Sequence, residues 1–284
     1  MAAAATVHGA PSTGPGRPLS VPDRVLERAV AVLGPHEAER WSRAARASVA
    51  VAVRHWDLAD VAEIATSRSS WLLSAQAGAG RVVLKAPFED PANYFAAQAQ
   101  LAEAGVGPAV IGTCDRVLLV EEVSALSLAE LPVVGLAQLR AAGAALHQFT
   151  EVQLQLFPPL CAWLRERLGT GRSDVAPGTA GPTVAERHLA WDTLEELAPR
   201  ARRTCHGDLR LGHVLVETGT GRAVLVGARG CLGDPAWDVA VLALEAAGGR
   251  LDEARGLASE TALVVGVDPH RAVHWLAVAV ATRA

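Results

Sequence analysis

The apolar residues of this 284-residue chain change their spacing twice. Between residues 22 and 54 they recur every three or four positions, which is typical of helices, whereas residues 60–86 form short apolar runs separated by turns, which is typical of antiparallel strands. From about residue 135 the helical spacing returns, interrupted by the short apolar runs Val214–Glu217 and Ala223–Val226. This order predicts an α+β fold in which a small antiparallel β-sheet lobe precedes a larger helical lobe.

Breaks in composition give the predicted domain boundaries. Residues 1–21 are rich in Ala, Gly, Pro and Ser, and they predict a disordered tail. Residues 22–122 are expected to form the first lobe, with N-terminal helices and a β-rich part. Residues 123–284 are expected to form the helical second lobe, which carries a β-hairpin.

Composition and charge exclude several classes of protein. Half of the residues are hydrophobic and 20% are charged, so the chain can bury a large core. The net charge of −4 argues against a broad basic surface for nucleic acid. The chain shows no secretory signal and no apolar run of the ~20 residues that span a membrane. Its four cysteines lack CxxC spacing, which suits a reducing compartment, so we expect a cytoplasmic protein. The net charge and the lack of a membrane-spanning run lead us to expect neither nucleic-acid nor membrane partners.

One basic residue differs from all the others. The chain has 26 lysines and arginines together, and Lys85 is the only lysine among them. A compact ammonium and a planar guanidinium are not interchangeable in recognition. A lysine that persists in so arginine-rich a sequence is therefore a candidate for a specific chemical role, although a single lysine can also remain by chance.

Two motifs flank the predicted hairpin. Residues 206–213 read HGDLRLGH, close to the kinase catalytic-loop pattern H-x-D-L-x-x-x-N, and residues 233–240 read GDPAWDVA. Together they resemble the aminoglycoside phosphotransferase branch of the protein-kinase-like fold, in particular the streptomycin 6-phosphotransferase and hydroxyurea phosphotransferase group. The resemblance covers about residues 56–284. It implies a bilobal protein-kinase-like fold and ATP-dependent O-phosphorylation of a small hydroxylated metabolite or antibiotic.

The resemblance also assigns roles to individual residues. Asp208 is implied to be the catalytic base that accepts the proton of the substrate hydroxyl, and Lys85 to hold the α- and β-phosphates of ATP. Glu121 and Glu122 match the linker between the lobes, whose backbone would bind adenine. Arg68 lies in a polar turn, where it either adds positive charge near the phosphates or belongs to an ordinary hairpin turn.

Three other matched residues are implied to be structural. His206 matches a residue that packs within the catalytic loop, and Asp238 one that holds this loop through backbone N–H groups. Asp234 is expected to cap the helix that follows it.

The chain departs from the family where metal is bound. The metal-binding Asn of the family falls at His213, and its metal-binding Asp falls at Gly227. The glutamate that pairs with the strand lysine falls near Tyr94, the only tyrosine. Imidazole is a poor ligand for Mg²⁺, which prefers oxygen, and glycine has no side chain. We therefore expect weak ATP binding and no conventional Mg²⁺ site.

Two functions stay open at this point. The chain is either an enzyme that phosphorylates a small molecule, or a pseudokinase that binds a ligand or a partner protein as a scaffold without catalysis. The retained Lys85 and Asp208 favour the enzyme, whereas the changes at His213 and Gly227 favour the pseudokinase.

Overall fold

The structure, a computed structural model, describes residues 19–64, 69–78, 80–88, 90–151, 157–170, 181–198 and 203–283. These residues form two compact units, and the first comprises the chain up to Phe95 together with Ala109–Glu122. The second unit comprises Ala96–Pro108 and the chain from Val123 onward. Most of the predicted tail lies outside the described residues, but Leu19 and Val21 pack against the core of the first unit.

The first unit contains a five-stranded antiparallel sheet preceded by two helices. The strand order is β1-β2-β3-β5-β4. In chain order the elements are α1 (Asp23–Leu33), α2 (Pro35–His55), β1 (Ala59–Ile64), β2 (Ser70–Ala77), β3 (Gly80–Pro87), α3 (Pro91–Glu103), β4 (Val110–Cys114) and β5 (Val117–Glu121). The helix α3 begins in this unit and continues into the second.

The alternation of β3 decides which side chains face the core. Val82, Leu84 and Ala86 are buried in the same apolar cluster as residues of α1 and α2. Because successive side chains of a strand point to opposite faces, Lys85 projects from the other face of the sheet. The indole Nε1 of Trp41 on α2 donates a hydrogen bond to the Pro87 carbonyl at 2.8 Å and fixes the helix to the end of β3.

The second unit is mainly helical and contains two small sheets, β6-β8-β9 and β7-β10. Its elements are β6 (Ala125–Ser127), α4 (Leu136–Glu151), α5 (Leu160–Thr170), α6 (Val184–Leu197), β7 (Arg203–Cys205), β8 (Val214–Glu217), β9 (Ala223–Leu225), β10 (Cys231–Gly233), α7 (Ala236–Ala246), α8 (Leu251–Val265) and α9 (Pro269–Arg283). Short 3₁₀ turns occupy Leu128–Glu130 and Leu211–His213. Every residue of α7 from Ala236 to Leu244 is buried, so this helix is the centre of the unit.

The structure differs from the sequence prediction in three places. The segment Ala96–Pro108, expected in the first lobe, packs with the second unit because its apolar residues belong to that unit's core. The apolar spacing predicts a helix over 153–168, of which residues 153–156 lie outside the described residues. The described helix begins at Leu160, directly after Pro158 and Pro159, which lack backbone N–H groups. The three-residue strands β6, β7 and β10 are too short to produce a periodic pattern. Nowhere in the described ranges is a helix both long and apolar enough to cross a membrane.

Candidate active site

The segment that follows β7 is held at its start by α7. Both oxygens of the buried Asp238 carboxylate accept backbone hydrogen bonds, Oδ2 from His206 N at 2.8 Å and Oδ1 from Gly207 N at 2.9 Å. Burial raises the pKa of Asp238 to about 7, an effect that these backbone hydrogen bonds oppose. Asp238 therefore ties the segment after β7 to α7.

The other end of the same segment is held by a residue that sequence reasoning missed. The Glu245 Oε2 accepts a hydrogen bond from Leu211 N at 2.7 Å. Glu245 lies seven residues after Asp238, so both carboxylates lie on one face of α7. This spacing within one helix was the available signal. Together the two side chains hold both ends of the segment 206–211.

His206 fixes the interior of the loop. Its Nε2 donates to the Val226 carbonyl at 3.1 Å, and its Nδ1 accepts from Asp208 N at 3.4 Å. Burial, together with the neighbouring His213, lowers the pKa of His206 to about 3. A neutral imidazole with both nitrogens in use is a structural element of the loop.

Asp208 lies between two basic side chains. The Arg210 Nε donates to its Oδ1 at 2.7 Å, and its Oδ2 is 3.7 Å from His213 Nδ1. The two side chains of the Asp208–Arg210 pair are only 20% and 12% exposed. Arg210 is the second residue that sequence reasoning missed. The carboxylate keeps part of its surface exposed, so a hydroxyl group of a ligand can approach it.

Asp234 ties two helices together. Its Oδ1 accepts a hydrogen bond from Ala236 N, at the start of α7. Its Oδ2 accepts from Arg271 Nε and Trp275 Nε1, both at 2.9 Å and both on α9. The residue therefore supports the position of α7, and through α7 the loop.

Residues 213 and 227, where the resemblance places the metal ligands of the family, lie close together. A Cβ added to Gly227 would stand 2.9 Å from Cδ2 and 3.0 Å from Nε2 of His213. The Nδ1 of His213 donates to the Asp208 carbonyl at 2.6 Å. Within the described part of the chain, no group of three or more His, Cys, Asp or Glu side chains could hold a metal ion. These residues do not fit Mg²⁺.

Lys85 is buried in the first unit, with 6% of its surface exposed. It pairs with Leu72 on β2 and Leu118 on β5. Burial lowers the pKa of Lys85 to about 8, and no carboxylate of the described residues opposes this effect. Tyr94, at the position of the missing glutamate, hydrogen-bonds with Ser70, and burial raises the pKa of its phenol.

The linker residues are engaged in the first unit. Glu121 N donates to the Ala109 carbonyl at 3.0 Å, and Glu122 N donates to the Arg81 carbonyl at 3.1 Å. Their carboxylates accept from Ala109 N and from Arg81 Nε. Neither amide of the two glutamates is therefore available to adenine. Arg68, the other residue suggested for nucleotide binding, lies outside the described residues.

Comparisons with known proteins agree with this architecture. A model of the phosphotransferase enzyme family matches residues 60–272. A spectinomycin phosphotransferase solved with ADP and spectinomycin is similar, with 11% identity, a TM-score of 0.54, and coverage of 76% of this chain and 78% of that one. A choline kinase from Streptococcus pneumoniae has 14% identity, a TM-score of 0.55, and coverage of 75% and 79%.

A third similar structure is a choline/ethanolamine kinase family protein from Mesorhizobium loti, with 18% identity, a TM-score of 0.53, and coverage of 73% of this chain and 70% of that one. No curated protein matches the chain. The likeness to these structures confirms the predicted fold, with a small antiparallel sheet unit and a larger helical unit.

The burial of Lys85 generates a prediction about stability. Burial lowers the pKa of Lys85 from its usual 10.5 to about 8 in the folded protein. Between pH 8 and 10.5 the native state therefore binds fewer protons than the unfolded state. The free energy of unfolding should therefore rise across pH 8 to 10.5, by about 3 kcal/mol from this group. Lys85→Met should remove that rise and be more stable at pH 7. Urea unfolding of both proteins at pH 7 and pH 10 measures the rise in the free energy of unfolding. An equal rise in both proteins would show that Lys85 is not its source.

The grip of α7 on the loop generates a second prediction. Glu245→Ala should lower the free energy of unfolding by about 1.5–3 kcal/mol, because the partly buried N–H of Leu211 loses a charged hydrogen-bond acceptor. Glu260→Ala is the matched control, since Glu260 makes an exposed ion pair with Arg140 at 3.0 Å and should lose less than about 1 kcal/mol. Equal losses in urea unfolding would show that Glu245 does not hold the loop.

Proposed function

This chain belongs to the phosphotransferase enzyme family, and we propose that it binds ATP and transfers the γ-phosphate to a hydroxyl group of a small metabolite or antibiotic. The observation that supports this most is the loop held by Asp238, in which the Asp208 carboxylate is kept beside Arg210. In this proposal Asp208 accepts the hydroxyl proton while the hydroxyl oxygen bonds to the γ-phosphorus. The bond from that phosphorus to the β–γ bridging oxygen breaks, and ADP leaves. The narrower resemblance to streptomycin and hydroxyurea phosphotransferases stays a prediction.

The nucleotide-binding residues are part of the same proposal. Lys85 carries a buried ammonium with no carboxylate partner among the described residues, and such a group gains most from an anionic ligand. The amides of Glu121 and Glu122 are already bonded within the sheet unit, so the donor to adenine would come from the next amide, that of Val123. Arg68 remains a proposed contact to phosphate.

The class of acceptor is proposed from the relatives. The similar structures include choline kinases and a spectinomycin phosphotransferase, and one aminoglycoside phosphotransferase was solved with a nucleotide analogue and hygromycin B. Small hydroxylated compounds of these kinds are the first acceptors to test. The proposed location is the cytoplasm, because the four cysteines are free in the structure.

A second candidate function has a specific observation in its favour. The positions that would bind metal hold His213 and Gly227, which supply no oxygen ligand. A pseudokinase that binds nucleotide, or a partner protein, without transferring phosphate accounts for that loss. The two candidates differ in whether a phosphorylated product forms.

Nucleotide binding is tested by thermal unfolding with ATP. A ligand at about 100 times its Kd stabilises the folded state by about 2.7 kcal/mol. We expect a saturable rise in Tm at millimolar ATP, nearly equal in EDTA and in Mg²⁺, and we expect Lys85→Met to lose it. The absence of any ATP-dependent shift in the unmodified protein would contradict the proposed function.

Phosphate transfer is tested separately with the Asp208→Asn variant. Removal of a general base typically lowers a rate by about 10²–10⁴-fold. With choline, spectinomycin and hygromycin B as acceptors, phosphorus NMR should detect a product from the unmodified protein and much less from Asp208→Asn, while both keep the ATP shift. Equal product from both proteins would remove Asp208 from the chemistry. An ATP shift with no product from any acceptor would support the pseudokinase.

A further inference from the structure

The geometry assigns His213 a role that the family pattern does not contain. We propose that its imidazole fills the volume of the side chain missing at position 227, so that this chain binds nucleotide free of any divalent cation held by the protein. The inference rests on the proposed function in taking positions 213 and 227 as the places where the family binds metal.

The first observation is the fit between the two residues. A Cβ on Gly227 would approach three atoms of the imidazole, Cδ2 at 2.9 Å, Nε2 at 3.0 Å and Cε1 at 3.3 Å. Distances near 3.0 Å between carbon atoms are well inside van der Waals contact, which lies at about 3.5–4.0 Å. With His213 in this position, a side chain at 227 has no room, and the ring takes its space.

The second observation is that His213 is held both through its ring and through its backbone. Its Nδ1 donates to the Asp208 carbonyl at 2.6 Å. The backbone of His213 donates to the Arg210 carbonyl and accepts from Val226 N, both at 2.9 Å. The ring cannot leave the space beside Gly227 without breaking its hydrogen bond to the catalytic loop. The folded loop itself therefore keeps the imidazole in the space beside Gly227.

The third observation concerns the chemistry around the ring. Mg²⁺ requires near-octahedral oxygen ligands, whereas here one nitrogen of the imidazole is already used and glycine offers nothing. The Asp208 carboxylate, whose Oδ2 lies 3.7 Å from the imidazole Nδ1, already pairs with Arg210 at 2.7 Å. The guanidinium of Arg210 therefore neutralises the carboxylate that would otherwise attract a divalent cation. These contacts disfavour a metal ion and leave the phosphates of the nucleotide to the basic side chains of the protein.

The chain offers a matched control for the filling of this space. Gly221 has φ +70°, nearly the same as the +72° of Gly227, but a Cβ added there meets no atom within 4 Å. Gly221→Ala thus carries the backbone strain of a left-handed position without the contact to an imidazole. Gly227→Ala carries both.

The first experiment compares these alanine variants by thermal unfolding. Gly227→Ala should have a Tm about 5 °C below that of Gly221→Ala, because the added carbon overlaps the ring. In a His213→Asn background the difference should largely disappear, since the shorter side chain clears the space. Equal Tm values for the two alanine variants, or a difference that survives His213→Asn, would overturn the proposal that the imidazole fills the site.

The second experiment measures metal directly, with Mn²⁺ alone and water-proton relaxation as the readout. The unmodified protein should show no saturable Mn²⁺ binding up to about 10 mM, which lies above the weakest natural oxygen sites. The double variant His213→Asn with Gly227→Asp should bind Mn²⁺ with a Kd on the order of 10⁻³ M. Gly227→Asp alone should not, because the imidazole still occupies the site.

These outcomes are separate from those of the proposed function. One Mn²⁺ bound by the unmodified protein with a submillimolar Kd would overturn the inference, even if ATP raises the Tm. A protein that fails to respond to ATP would overturn the proposed function, even if the metal and alanine experiments behave as expected. If Gly227→Asp does not fold, the alanine comparison still decides whether the imidazole fills the space.

Discussion

The geometry of the candidate site depends on the burial of the helix α7. Its residues from Ala236 to Leu244 are all buried. The carboxylate of Asp238, one of these residues, accepts hydrogen bonds from two backbone amides of the catalytic loop. An ionised carboxylate in such a place is costly unless hydrogen bonds satisfy it, so the loop and the helix stabilise each other. Glu245 extends the same arrangement by two helical turns, and Asp234 anchors the start of the helix to α9.

The structure buries the charged groups of both Lys85 and Asp238. Burial disfavours the ammonium of Lys85 and the carboxylate of Asp238. Asp238 is compensated by backbone N–H groups, whereas the described residues supply Lys85 with no carboxylate. Perturbed groups of this kind cluster at functional sites, where a ligand provides the missing partner. The contrast separates the two residues, Asp238 as part of the scaffold and Lys85 as a candidate for ligand binding.

The sequence predicted the fold because its signals were long or specific. The period of the apolar residues located the helices and the strands of the five-stranded sheet, and the HGD and GDPxxD motifs pointed to the family. The seven-residue spacing of Asp238 and Glu245 placed both carboxylates on one face of a helix. No local pattern reports that Glu245 reaches Leu211 N, 34 residues earlier in the chain. The residue types at 213 and 227 could be recognised from the sequence as poor metal ligands, but their proximity could not. Only the structure shows that a Cβ at position 227 would approach the imidazole of His213.

The central claim is that this member of the phosphotransferase enzyme family binds nucleotide without a metal ion held by the chain. Isothermal titration of ADP into the unmodified protein, once in EDTA and once in Mg²⁺, tests it most directly. The account predicts two dissociation constants within about threefold of each other, a difference well below 1.4 kcal/mol. Tightening by Mg²⁺ of about tenfold or more would contradict the account, since it would require a metal site that His213 and Gly227 do not provide.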